Sequence, residues 1–168
     1  MELRELFISQ LERETASTRK AIERVPEGRN DWKPHEKSMT FGYLAALVAT
    51  MPGWLAFMIE QDELDFDQPS SDESKTKPAG SRQDLIRMLD EGTSKSLKAL
   101  ESTTEEHLMK PWRFKAGGNV VSEGPRHVMI ADSVFSHLAH HRGQLTVYLR
   151  LNEASVPAIY GPSADEQH

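Results

Sequence analysis

The sequence predicts an all-α domain, a four-helix bundle, from three observations. Apolar residues recur at helical spacing in four separate stretches. Segments rich in proline, glycine and small polar residues divide those stretches. Each stretch is long enough to bury one face along a bundle, and together they fill a chain of 168 residues. That length suits one domain, residues 1–168, with a substantial core.

The first helix is predicted from about Glu2 to Val25, with Leu3, Phe7, Leu11, Thr18, Ile22 and Val25 along one side. Pro26-Glu27-Gly28 stops it. An extended piece, Asp31-Trp32-Lys33-Pro34, precedes a cap at Ser38 or Thr40. The second helix spans about Thr40 to Leu64, with Leu44, Leu47, Met51, Trp54 or Leu55, and Met58 as its stripe. Pro52 interrupts it. Proline cannot donate to the carbonyl of Val48, so the helix kinks there or divides at Met51-Pro52-Gly53, and the continuing stripe favours the kink.

Asp65 to Gly80 is a polar link. Ser81-Arg82-Gln83-Asp84 reads as a capping-box variant that opens the third helix, which carries Leu85, Leu89, Ser96 and Leu100 on one side. Thr103 to Met109 adds a short turn, and Phe114 to Val121, with Gly117-Gly118-Asn119, forms a small hairpin or an ordered loop. The fourth helix runs from about Pro125 to Asn152, and the tail after Val156 is not helical by composition. At about 3.3 Å per extended residue the 65–80 link reaches back along a whole helix. Helices two and three can therefore run parallel, in an up-down-down-up order.

Composition excludes several functions. A formal charge of −6 argues against a general nucleic-acid partner. The local basic residues Lys110, Arg113, Lys115 and Arg126 read as a solvated connection. Without cysteine, there are no disulfides, thiolate metal sites or cysteine nucleophiles. The acidic start, Met1-Glu2-Leu3-Arg4-Glu5, is not a signal peptide, and no apolar run suggests a membrane span, so the expected location is the cytoplasm.

The chemistry concentrates in His137-Leu138-Ala139-His140-His141-Arg142-Gly143-Gln144. His137 and His141 stand four apart on a helix, so both rings can address one ion. Ala131, Val134, Leu138, Leu145 and Leu149 define an apolar arc of about 60° at about 100° per residue. His141 lies within or beside that stripe, His137 about 40° beyond it, and His140 further toward the polar flank. Burying imidazoles without partners is costly, which makes the pair a candidate site. Gln144 can hydrogen-bond His140 or His141 as a supporting residue. Arg142 reads as solvated or paired with an acidic residue on another helix, and Gly143 as a point of close helix approach. His127 lies about 15 Å along the axis from His137, too far to share an ion. Trp32, Trp54 and Trp112 read as core or interface anchors, and Tyr160 as tail packing or a cover over the pocket mouth.

Trp32-x-Pro34, Ser38-Met39-Thr40, His137-Leu-Ala-His-His-Arg-Gly-Gln144 and Pro157-x-x-Tyr-Gly-Pro-Ser163, in that order, resemble the DinB family of bacterial proteins over nearly the whole chain. The resemblance implies a four-helix bundle, commonly a homodimer, with a divalent metal (Ni, Zn or Fe) held by three histidines. Two match His137 and His141, with His140 and Gln144 beside them. The third belongs to helix two and falls at or close to Leu47, where leucine cannot ligate. Three outcomes follow. Metal binds weakly, completed by water or by a substitute such as His35, Asp165 or Glu166; the site is dead and Leu47 packs in its place; or the pocket survives with a metal-free role.

Two functions fit. One is a metal-dependent enzyme of thiol-transferase or hydrolase-like type, in which a low-molecular-weight thiol or another small molecule is the co-substrate and the metal lowers its pKa. The other is a non-catalytic dimeric bundle that binds a ligand or a protein. Direct DNA contact, suggested only by the family name, runs against the acidic balance.

Overall fold

A computed structural model of the chain describes residues 2–67, 76 and 79–167. The long helices are α1 (Leu3–Ile22), α2 (Phe41–Thr50) continued after a short turn by α3 (Trp54–Glu60), α4 (Arg82–Ser102) and α7 (His137–Leu151). Short helices α5 (Glu105–Met109) and α6 (Arg126–Ile130) accompany three strands, β1 (Glu63–Asp65), β2 (Pro111–Ala116) and β3 (Asn119–Pro125). Most of the 65–80 link falls outside the described residues.

The starts are chemically marked. Thr40 accepts from the Tyr43 N–H at 3.3 Å and Ser81 from the Asp84 N–H at 3.1 Å, each satisfying a donor that the first turn leaves free. The Glu105 carboxylate accepts from the N–H groups of Leu3 and Arg4, both at 3.1 Å, and so fixes the start of α1 against α5. The predicted stripes are buried: Phe7, Leu11, Thr18, Ile22 and Val25 of the first, Leu85, Leu89, Ser96 and Leu100 of the third, and Val134, Leu138, Leu145 and Leu149 of the fourth.

Helix directions follow from which residues meet. Gly53 faces Gly92, and Ala56 meets Ser96, so numbering rises together along α3 and α4 and the two run parallel. Thr15 meets Thr93, while Glu105 meets the first turn of α1, so α1 is antiparallel to α4. The Tyr148 hydroxyl donates to the Met39 carbonyl while His137 lies against Trp54, which makes α7 antiparallel to α2 and α3.

Several expectations are corrected. The chain is not all-α: a small mixed sheet in the order β1-β2-β3 stands beside the helices, with β1 parallel and β3 antiparallel to β2. Its strand β1 lies where the second helix was extended to Leu64. Gln61 leaves the helical region at φ −117°, ψ 149°, and Leu64 then pairs with Phe114. Gly117 and Gly118, at φ +57° and +80°, turn β2 into β3 as a primed two-residue hairpin.

The second helix neither simply kinks nor separates. Met51–Gly53 tightens to a 3₁₀ turn while the backbone stays right-handed. The Ser96 hydroxyl enters this break, donating to the Pro52 carbonyl at 2.7 Å and accepting from the Ala56 N–H at 3.0 Å. One side chain thus bridges the donor and acceptor of a helical i→i+4 bond.

The fourth helix is not uniform. A π-helical segment, Ala131–Ser136, separates α6 from α7. Arg126 is also not solvated: its side chain is fully buried, ion-paired with Asp62 and bonded to His107, with the His107 and Gln61 carbonyls at 3.3 and 3.4 Å.

A Cβ added to Gly53 would lie 2.9 Å from the Gly92 Cα. Gly53→Ala is therefore expected to destabilise the fold by about 1–3 kcal/mol as an overpacked contact between backbones. Urea unfolding should show a lower midpoint with an unchanged slope.

Candidate functional site

The π segment ends at Ser136 and delivers His137 as the first residue of α7. Such segments widen one helical turn and recur at functional sites. From there one turn of α7 brings His141 over His137. Their Nε2 atoms lie 2.8 Å apart and their ring centroids 4.6 Å apart. His141 Nδ1–H donates to the Gln144 carbonyl oxygen at 2.8 Å, and the Gln144 amide donates to His140 Nε2 at 3.1 Å. A neutral His141 that donates through Nδ1 presents a lone pair at Nε2. Gln144 therefore sets the tautomer of His141.

His137 and His141 are half-buried and His140 is exposed. Burial lowers the pKa of His137 from its ordinary 6.5, and the neighbouring His141 lowers it further, while the Ser133 backbone pulls the other way. The ring is thus held neutral at neutral pH.

His137 also forms part of the wall of a cavity of about 660 Å³. Trp54, whose ring centroid lies 5.8 Å from that of His137, stands beside it. Phe57, Leu64, Met88, Trp112 and Phe114 continue a largely apolar lining, and Gly53 and Gly92 expose bare backbone to it. Its size falls in the range of small-molecule sites. Two of the three tryptophans read as anchors thus line a pocket. Strand β1, which the sequence reading took as helix, supplies Leu64 to it, and β2 of the hairpin supplies Trp112 and Phe114.

Two nitrogens that bind one tetrahedral ion at about 2.0–2.1 Å are about 3.3 Å apart. His137 and His141, at 2.8 Å, come within half an ångström or so of that bite. No group of three histidine or carboxylate side chains able to hold an ion occurs among the described residues. Leu47 is buried in the same apolar cluster as Leu138 and Leu145. The suggested substitutes are engaged elsewhere: Asp165 pairs with Arg150, Glu166 with Arg24, and His35 Nδ1 accepts from the Lys37 N–H. The residues present therefore do not fit a three-histidine centre. They offer two donors.

Arg142 points away from this pair. Its buried guanidinium meets the Glu14 carboxylate at 2.6 Å, the Glu14 carbonyl at 3.1 Å, Thr18 Oγ1 at 3.0 Å and the Tyr160 hydroxyl at 2.5 Å. The Tyr160 hydroxyl also donates to Glu14 at 2.8 Å, so the tail docks on this ion pair. A Cβ on Gly143 would meet nothing within 4 Å, so close helix approach does not explain that glycine.

The DinB family model matches residues 2–168. The chain belongs to the DinB family. Its fold is similar to a DinB-like protein from Bacillus cereus, with a TM-score of 0.71, 20% identity, and coverage of 92% of this chain and 95% of that one. It is also similar to a DinB-like protein from Bacillus subtilis, with a TM-score of 0.66, 20% identity, and coverage of 96% and 98%. No curated protein matches the sequence. At this identity the two structures speak for the DinB-like fold, and the site must be argued from this chain's residues.

Because the folded protein holds His137 at a lowered pKa, the unfolded chain binds that proton more readily. The contribution of His137 to stability is expected to be complete above the ordinary pKa and to fall as pH drops through 6.5 toward the lowered value. Imidazole NMR titration should place the His137 midpoint below 6.5. Denaturation between pH 7 and 5 should show a shallower loss in His137→Gln.

Proposed function

We propose that this DinB-family chain binds a small, largely apolar molecule in its cavity, with the His137–His141 pair as the polar end of the site. The observation that carries the reading is the presence of a neutral, hydrogen-bonded imidazole in the wall of a 660 Å³ cavity that is otherwise mostly aromatic and aliphatic. Apolar burial supplies affinity in such a site, and a few fixed polar atoms supply orientation. A neutral His137 is suited to exchange a hydrogen bond with a ligand, and if the ligand is a substrate, to take a proton from it.

A second reading is metal-dependent transfer or hydrolysis involving a low-molecular-weight thiol. It is favoured by the convergence of the two Nε2 atoms and by Gln144 orienting one of them. His137 and His141 would hold a Ni, Zn or Fe ion, and a bound divalent ion would supply Lewis acidity toward a thiol or water. With two protein nitrogens, such a site would bind its ion weakly. The cytoplasm as its location and a homodimer as its assembly accompany either reading as proposals.

Elemental mass spectrometry of untagged protein, dialysed against excess zinc or nickel and then desalted, separates the two. Retained metal well below one equivalent is expected, unchanged in His137→Ala/His141→Ala. Leu47→His should raise it toward one equivalent. One tightly held equivalent in the native chain, lost in the double variant, would transfer the conclusion to the metal-dependent reading.

A further inference from the structure

Resting on the reading of the cavity as a ligand site, we infer that its ligand is an aromatic organic cation carrying a single positive charge. The walls present five aromatic rings, those of Trp54, Phe57, Phe66, Trp112 and Phe114. They come from α3, from β2 and from the segment just after β1, so rings approach the space from more than one side. Phe66 and Phe114 stand 6.5 Å apart at 54° at one part of this lining. Ring faces carry negative potential, attract ammonium groups and repel carboxylates.

The charged side chains in the lining point the same way. Glu60 and Glu91 both belong to it, against a single cation among the described residues, Lys95. Glu91 is held loosely, 4.0 Å from Arg87. Glu60 takes part in no ion pair among the described residues, which leaves its carboxylate available to a ligand amine. Glu60, Glu91 and Lys95 are all exposed, so each can turn toward water or toward a ligand, and the two carboxylates outnumber the ammonium. An anion entering this space would meet ring faces and two carboxylates, against Lys95 and the Trp112 indole N–H, which is buried without a hydrogen-bond partner. A cation would gain the rings and Glu60.

The cavity of about 660 Å³ accommodates a bicyclic ring system with a short side chain. Two of the three tryptophans line it, so binding can be read from intrinsic fluorescence. The test is a titration of the intact protein with three probes of one shape: 1-naphthylmethylamine, 1-naphthalenemethanol and 1-naphthoate. The amine is expected to bind about tenfold tighter than the alcohol, the size of one partly desolvated cation–π contact, and naphthoate weakest of the three. Glu60→Gln should reduce the advantage of the amine several-fold and leave the alcohol unchanged, whereas Lys95→Gln should leave the order intact.

Equal binding of the amine and the alcohol, or tightest binding of naphthoate, would overturn the assignment of a cation while leaving the cavity as a ligand site. Failure of all three to bind, with the protein folded by circular dichroism, would sink both the cavity reading and this inference.

Discussion

Proline at position 52 removes a backbone donor in the middle of a helix that is buried on nearly all sides. An uncompensated break there would leave polar groups without water or partners, at a cost of about 1–3 kcal/mol each. The Ser96 hydroxyl, from the neighbouring helix, serves the Pro52 carbonyl and the Ala56 N–H at this break, and it reaches them because Gly53 and Gly92 let the two backbones come together. The parallel pairing of α3 and α4 is thus held by a contact in which side-chain bulk has been removed. Beyond that contact the two helices contribute Phe57 and Met88 to the cavity wall, which they share with the sheet and with His137.

Two buried arginines set the remaining limits of the structure. Arg142 joins α1, α7 and the tail through Glu14, Thr18 and Tyr160. The Tyr160 hydroxyl is consequently held above its ordinary pKa, by burial first and by the Glu14 carboxylate second. Arg126 gathers the end of α3, the short helix α5 and the start of α6 around one guanidinium. Such a pairing is poor evidence of added stability, since desolvation offsets most of the attraction between Arg142 and Glu14 and water screens the largely exposed Asp62 beside Arg126. Its value is directional. Each arginine requires several acceptors at once, and one arrangement of the surrounding elements provides them.

Much of this was legible in the sequence. The four apolar stripes, the caps at Thr40 and Ser81, and the spacing of His137 and His141 all follow from helical geometry acting locally. Gln144 was legible for the same reason, being three residues from His141. The sheet was not, because Leu64 and Phe114 pair across fifty residues of chain and neither strand alternates long enough to announce itself. The aromatic lining was hidden by a related ambiguity: a tryptophan that anchors a core and one that lines a cavity have the same sequence signature. Gly92 and Ser96, small residues one helical turn apart, were the available clue to the close approach at Pro52. Arg126 gave no such signal, since nothing local distinguishes a buried arginine from a solvated one.

The strand β1 is three residues long, pairs on one side only among the described residues, and is held to β2 by a parallel ladder. Closing that ladder requires two distant segments to meet after the helices that separate them have packed, so in folding it belongs among the late events. The same weakness acts in the native state. Regions with few buried contacts open at a free energy well below that of global unfolding. The side chain of Leu64 within β1 can therefore swing aside while the helices stay assembled. An enclosed ligand would gain its way in and out through the element that folds last.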